Sequence, residues 1–88
     1  MTASVIEEVR MLVQEIKRLG KQGSNGQWSV KFGVIVRDDR CGDIFEALVG
    51  TLKAAKKRKV IDFKAELLLQ GVHDDVDIVL LTETVPDQ

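Results

Sequence analysis

The sequence predicts a small α+β domain in which helices pack with a C-terminal β-hairpin. Apolar residues recur at helical spacing in two stretches, one starting near Val5 and the other near Asp43. The last third of the chain has two apolar runs of strand length separated by a turn-forming segment. The 88 residues allow one domain, and 44% hydrophobic with 31% charged residues is typical of a chain that folds around a core.

The first helix is predicted from about Val5 to Leu19. Ser4 and Glu7 have the spacing of a capping box, and Gly20 is a residue type that often follows a helix. Seven apolar residues recur at steps of three and four and form one stripe: Val5, Ile6, Val9, Leu12, Val13, Ile16 and Leu19. We therefore expect one face of this helix to lie against the core.

The next segment, KQGSNGQ at 21–27, is predicted to be a surface loop because it has two glycines and no aliphatic side chain. In WSVKFGVIVRDD, residues 28–39, apolar residues alternate as in a strand, although some also suit a short helix. Periodicity alone favours the strand. Trp28 is interpreted as a core or rim aromatic.

The clearest helical pattern runs from Asp43 to Lys57. Asp43 and Glu46 repeat the capping spacing, and the apolar residues that follow form a second stripe. This stripe leads into five basic residues within seven positions, which we call the basic helix end: Lys53, Lys56, Lys57, Arg58 and Lys59.

The terminal hairpin is predicted from about Glu66 to Thr82, with ELLLQ and DIVLL as strands and GVHDDV as the turn. Because neighbouring strand residues point to opposite faces, we expect one of Leu68 and Leu69 to be buried and the other more exposed. His73 is expected at an exposed turn, so its loss is expected to change both stability and partner binding very little. Residues 1–4 and 83–88 are expected to be flexible.

Charge is distributed unevenly along the chain. Residues 1–64 hold all 13 Lys and Arg against 8 Asp and Glu, a net +5, whereas residues 65–88 hold 6 acids and no Lys or Arg, a net −6. Two interpretations of the basic helix end are open. It binds an acidic partner, or it is a solvated helix end whose cations complement the helix dipole.

Chemistry-bearing motifs are scarce. His73 and the three aspartates that follow it do not match a calcium loop and are interpreted as a polar turn. Cys41 has no second cysteine to pair with, and a dyad of Cys41 and His73 is open on composition alone. No nucleotide-binding glycine pattern occurs. We therefore expect no catalytic, metal or cofactor site and no enzyme activity.

Three segments, SVKFGVIVRDDRC, FEALVGTLKAAKKRKVI and ELLLQGVHDDVDIVLL, closely resemble the costars family. This family is akin to the C-terminal domain of the striated-muscle activator of Rho signalling, an actin-binding Rho-activating protein. The likeness spans residues 5–82 and implies a winged-helix-like domain that binds actin and influences filament organisation and cell motility. It also implies a brief strand at Trp28–Val30 followed by a short helix. The helix from Asp43 to Lys57 would then lie where a DNA-binding relative has its recognition helix.

The partner expected from the resemblance is actin, as filament or monomer, and the basic helix end is our candidate for the contact because an acidic surface attracts a compact basic patch. We expect a cytoplasmic, cytoskeleton-associated monomer with no membrane contact. The larger Rho-activating relatives carry further actin-binding sequence upstream, so the resemblance does not by itself imply that this chain activates Rho. The alternative is a winged-helix nucleic-acid-binding module. The pI near 5.8 and the acids Asp43 and Glu46 at the start of the second long helix disfavour it.

Overall fold

The computed structural model describes residues 4–85, in which four helices combine with a four-stranded antiparallel sheet. The helices are α1 Val5–Leu19, α2 Phe32–Val36, α3 Asp39–Ile44 and α4 Leu48–Lys57. The strands are β1 Lys21–Gln22, β2 Trp28–Lys31, β3 Ile61–Asp62 and β4 Asp77–Leu80, in the sheet order β1-β2-β4-β3. This architecture confirms the predicted α+β class, with β3 and β4 as the C-terminal hairpin.

Helix α1 has the bounds that the sequence predicts. The Ser4 hydroxyl accepts a hydrogen bond from the Glu7 backbone N–H at 3.1 Å, so Ser4 caps the helix. The apolar stripe packs against α4 and β2. Gly20 is required for a different reason from the predicted one: a Cβ there would lie 2.3 Å from the Ser29 carbonyl oxygen and 2.7 Å from that of Ile16. The chain therefore leaves α1 in direct contact with β2.

The segment 21–27 is only partly a loop. Lys21 pairs with Ser29 and Gln22 with Trp28, so β1 and β2 form a hairpin. Its turn includes Gly26, whose φ of +84° suits glycine. The sequence does not signal β1 because both of its residues are polar and exposed at the sheet edge.

The segment 28–39 is a short strand followed by a helix, so the strand favoured by periodicity is wrong and the arrangement implied by the family resemblance is confirmed. Phe32 and Ile35, three positions apart, are both fully buried on one side of α2. The N–H of Phe32 donates to the Val76 carbonyl, which ends the ladder between β2 and the C-terminal chain. A Cβ on Gly33 would lie 2.9 Å from the Cβ of Asp74, so a small residue lets α2 approach that turn.

The long helix predicted from Asp43 to Lys57 is two helices, α3 and α4. Phe45 between them is extended, with φ −105° and ψ 122°, and its side chain is buried. Helix α3 begins earlier than predicted because the Asp38 carboxylate accepts a hydrogen bond from the Cys41 N–H at 3.0 Å. Asp43 therefore lies inside α3, and the N-cap of α4 is Ala47 without a side-chain bond.

The C-terminal hairpin has a different first strand from the predicted one. Ile61 pairs with Leu80 and Asp62 with Val79, and the ELLLQ run belongs to the connection between β3 and β4. We call this connection, residues 63–76, the wing loop. Leu68 is 3% exposed and Leu69 is 50% exposed, so the predicted contrast is confirmed although neither residue lies in a strand.

The core lies where α1, α2 and α4 meet the sheet, and its largest fully buried side chains include Leu12, Phe32, Leu52 and Ile78. Of the ends predicted to be flexible, residues 1–3 and 86–88 lie outside the described residues. Glu83 is bonded to Lys17 at 2.7 Å. None of the helices within residues 4–85 has the length and apolar character needed to cross a membrane.

Candidate interaction surface

The basic helix end is placed by the packing of α4. Leu52 and Ala55 are fully buried, and α4 packs against α1. The Thr51 hydroxyl fixes the same side of the helix, since it donates to a Glu8 carboxylate oxygen at 2.7 Å. Lys53 and Lys57 are four positions apart and lie together on the exposed surface of α4.

The chain leaves α4 through a tight turn at Lys59. Its φ is +64°, a conformation that glycine or asparagine adopts more easily, at a cost of about 1 kcal/mol for other residues. Hydrogen bonds from Lys59 N–H to the Lys56 carbonyl and from Val60 N–H to the Ala55 carbonyl, both 3.0 Å, close the turn. Lys59 is thus an exposed lysine at a position where the backbone geometry favours glycine or asparagine.

Lys56 has a structural role. Its Nζ donates to the Phe63 carbonyl oxygen at 2.6 Å and lies 4.2 Å from the centroid of the Phe63 ring. The first contact is a charge-assisted hydrogen bond and the second a cation–π interaction. Lys56 therefore links α4 to the start of the wing loop. Its ammonium group, which the sequence suggested for partner binding, already has an intramolecular contact.

Arg58 also contacts its own helix. The side chain is half-buried, and Nη1 donates to the Ala54 carbonyl oxygen at 3.3 Å. A cation on the last carbonyls of a helix is favourable both as a hydrogen bond and through the helix dipole. The dipole interpretation thus describes Arg58 well.

Lys53, Lys57 and Lys59 differ from these two residues. All three are exposed, and within residues 4–85 none of their side chains makes a hydrogen bond or an ion pair. Lys53 and Lys57 border an open groove whose other walls are formed by Lys56 and the first part of the wing loop, at Phe63, Ala65 and Glu66. Two of the three lysines with unpaired side chains therefore border this groove.

Other cations are paired with the acidic C-terminal segment. Within residues 4–85 these ion pairs are Lys17 with Glu83 at 2.7 Å, Lys31 with Asp77 at 2.8 Å, and Arg37 with Asp74 at 2.5 Å. These contacts join α1, β2 and α2 to the last third of the chain. They pair three of the five acids of residues 65–85, whereas the side chains of Lys53, Lys57 and Lys59 stay without ion pairs at the end of α4.

A second charged region lies between α1 and α3, where buried Glu15 and Cys41 are flanked by the exposed arginines Arg18 and Arg40. One Glu15 carboxylate oxygen accepts bonds from Arg18 Nε at 2.8 Å and Nη2 at 2.6 Å, and the other lies 3.3 Å from Arg40 Nε. Arg18 also contacts the Asp38 carboxylate at 2.5 Å, and the Cys41 sulfur lies 3.9 Å from Glu15. We call Glu15, Arg18, Asp38, Arg40 and Cys41 the buried charge cluster.

The chemistry of this cluster is that of a structural network. Donor atoms of Glu15, Asp38 and Cys41 lie within 4.8 Å of one another, as metal ligands can, but two arginines already balance the two carboxylates. The Cys41 N–H bond and then Arg18 hold the pKa of Asp38 below its usual value. Burial raises the pKa of the Cys41 thiol to about 12, so it stays protonated near neutral pH.

The other sequence candidates also have ordinary partners. His73 Nδ1 accepts a hydrogen bond from the Leu69 N–H at 2.9 Å, and Asp74 and Asp77 are in ion pairs with arginine and lysine. A dyad of Cys41 and His73 does not form, because the thiol contacts Glu15 and the imidazole contacts the wing loop. The buried charge cluster was missed from the sequence, although the spacing of Glu15 and Arg18 on one helix is its signal.

Comparison with known proteins identifies relatives over almost the whole chain. A family model described as Costars matches residues 4–81. The Costars family protein ABRACL of Xenopus tropicalis is 64% identical over 80 residues, which is 91% of this chain and 99% of the relative. The human protein of that name is 62% identical over the same shares. The solution structure of human HSPC280 protein has a TM-score of 0.82 and 61% identity, covering 91% of this chain and 94% of that one.

Proposed function

Because this chain belongs to the Costars family, we propose that it is a non-catalytic, actin-associated protein that regulates actin filament organisation and cell motility. In this proposal an acidic surface of actin meets the basic helix end. The observation that carries the site assignment is the set of three exposed lysines, Lys53, Lys57 and Lys59, whose side chains have no hydrogen-bond or ion-pair partner in residues 4–85.

The electrostatics of the molecule support this assignment. Lysines held on a rigid helix end produce a local positive field although the whole chain has a net charge of −1. Such a field raises the rate of association with an acidic surface, and added salt weakens it. Lys56 and Arg58 contribute to this field while their side chains stay in intramolecular contacts.

The test is cosedimentation with filamentous actin at about 50 to 200 mM salt, a range in which screening changes substantially. We expect binding that weakens as salt rises, and a loss of most low-salt binding in Lys57→Glu. The matched control is Lys21→Glu, which makes the same charge change on exposed β1, at the opposite edge of the sheet from β3. Equal weakening by both variants would assign the effect to net charge and overturn the contact site.

Monomeric actin needs its own assay, for example a change in the rate of polymerisation of pyrene-labelled actin. Binding to filaments or to monomers supports the proposed function. Absence of binding to both at low salt would overturn it. Lys56→Glu is unsuitable for these experiments because it would also break the contact with Phe63.

A further inference from the structure

The wing loop exposes an unusual amount of apolar surface. Leu67, Leu69 and Val72 are 55%, 50% and 71% exposed, whereas Leu68 between them is 3% exposed. Six large hydrophobic residues are exposed in the described part of the chain, and these three lie within six positions of one another. Grouped exposed apolar residues are a mark of interaction sites in soluble proteins.

Hydrogen bonds hold this loop in shape without burying those three side chains. The Leu69 carbonyl accepts from Val72 N–H at 3.1 Å and from His73 N–H at 2.8 Å, while Leu69 N–H donates to His73 Nδ1. Gly71 N–H donates to the Asp74 carboxylate at 2.8 Å. The apolar side chains thus project from an ordered turn, and a partner would not bear the cost of ordering it.

This apolar surface begins in the chain where the wall of the basic groove ends. Ala65 and Glu66 line the groove beside Lys53 and Lys57, and Leu67 is the next residue in the chain. Consecutive Cα atoms are about 3.8 Å apart, so the first exposed leucine directly follows the groove wall.

We propose that Leu67, Leu69 and Val72 form the apolar half of the actin-binding surface, whose basic half is Lys53, Lys57 and Lys59. The matching surface on actin is an apolar depression bordered by carboxylates. This inference rests on the proposed function and divides the surface by role. The lysines accelerate association, and the apolar side chains slow dissociation because their burial removes apolar area from water.

The carboxylates in and near the loop favour a protein partner over a lipid bilayer. Along the chain, exposed Glu66 comes directly before Leu67, and exposed Asp75 follows the apolar residues. Both carboxylates would repel anionic lipid headgroups. A protein surface can place a polar or basic group opposite each carboxylate.

The test compares the double variant Leu67→Gln with Leu69→Gln against Leu81→Gln, a leucine of similar exposure, 44%, that lies outside the wing loop. We expect the double variant to weaken binding to actin about tenfold or more, which corresponds to about 1.4 kcal/mol. Its remaining binding should keep the salt dependence of the wild type, and its thermal unfolding should match the wild type. Leu81→Gln should bind as the wild type does.

Three other outcomes would overturn the inference. If the wild type binds actin and the double variant binds with the same affinity, the proposed apolar contact is wrong and the proposed function still holds. Failure of the wild type to bind either form of actin would overturn both. Binding to phosphatidylserine vesicles that is lost in the double variant, with actin binding unchanged, would assign the loop to membranes. If the double variant unfolds, Val72→Thr, a change of similar size at the most exposed position, applies the same comparison.

Discussion

The buried charge cluster and the surface formed by the basic helix end and wing loop show opposite uses of similar side chains. In the cluster, Glu15 is 3% exposed and two arginines contact its carboxylate. In the surface, Lys53 and Lys57 are exposed without ion pairs in residues 4–85. We therefore expect substitutions in the cluster to change stability, and outward-facing substitutions in the surface to change binding.

Sequence proximity is a poor guide to which charges are available. The basic helix end is five neighbours in sequence, yet the fold uses Lys56 and Arg58 in its own contacts. The buried charge cluster, in contrast, connects side chains from positions as far apart as 15 and 41 in one network. A charge becomes available to a partner when the fold leaves it unpaired, and that depends on long-range packing.

The largest expected effect comes from the inward-facing residue of the wing loop. Leu68→Ala removes a side chain that is 3% exposed, so it should lower the free energy of unfolding by about 2 to 5 kcal/mol. Leu69→Ala, at 50% exposure, should stay within about 0.5 kcal/mol of the wild type. Thermal unfolding of the two variants measures both effects. Equal melting temperatures would mean that Leu68 does not anchor the loop.

The same loop shows what could be predicted from the sequence. The expected contrast between Leu68 and Leu69 is found, although the strand alternation on which it rested is not present at ELLLQ and Leu67 is exposed as well. The strand assignment failed because β4 finds its partners in β2 and β3 instead. Local patterns signal burial better than they signal which strands pair, since pairing depends on residues far away in sequence.

Helices followed a similar rule. Helix α1 was predicted to its ends because the stripe and the Ser4 cap agree. The break between α3 and α4 was missed because Phe45 fits a helical stripe equally well, although it is extended and buried in the structure. The strand predicted from residue 28 onward ends where α2 begins at Phe32. Over such a short apolar run, the spacing of apolar residues fits a strand and a helix equally well.

The break also changes one argument about nucleic acid. Asp43 and Glu46 were expected at the start of the recognition-type helix, but α4 begins at Leu48 and has no acidic residue in its first turn. The pI near 5.8 remains the argument against a nucleic-acid-binding module. A gel-shift assay at about 50 mM salt, where non-specific binding is strong, is the direct check.

A smaller effect is expected from the buried charge cluster as pH falls. The pKa of Asp38 is lowered in the folded state by the Cys41 N–H bond and by Arg18, so its ionised form stabilises the fold above the unfolded pKa of about 3.9. That stabilisation is lost as pH decreases through the folded pKa. Asp38→Asn keeps an N-cap residue and removes the charge. It should be less stable than the wild type near pH 6 and approach it near pH 2.

Urea unfolding across about pH 2 to 6 measures this convergence, because the pH slope of the free energy reports the difference in bound protons. Asp43→Asn is the matched control on α3, at an exposed position. It should follow the wild type across the range. If Asp38→Asn also follows the wild type, the carboxylate is not stabilised by the cluster.

The smallest expected effect is that of His73→Ala. This variant distinguishes the role of the wing loop in stability from its role in actin binding. The imidazole was expected to be dispensable, but its Nδ1 accepts the Leu69 N–H at 2.9 Å. Loss of this partly exposed bond should lower the free energy of unfolding by about 0.5 to 1 kcal/mol. His73→Asn retains an acceptor, so its free energy of unfolding should be closer to that of the wild type.

If the proposed apolar contact is correct, His73→Ala should also weaken actin binding by a small factor, because Leu69 loses its fixed orientation. Reduced stability with unchanged actin binding would show that the orientation of Leu69 does not contribute to the contact.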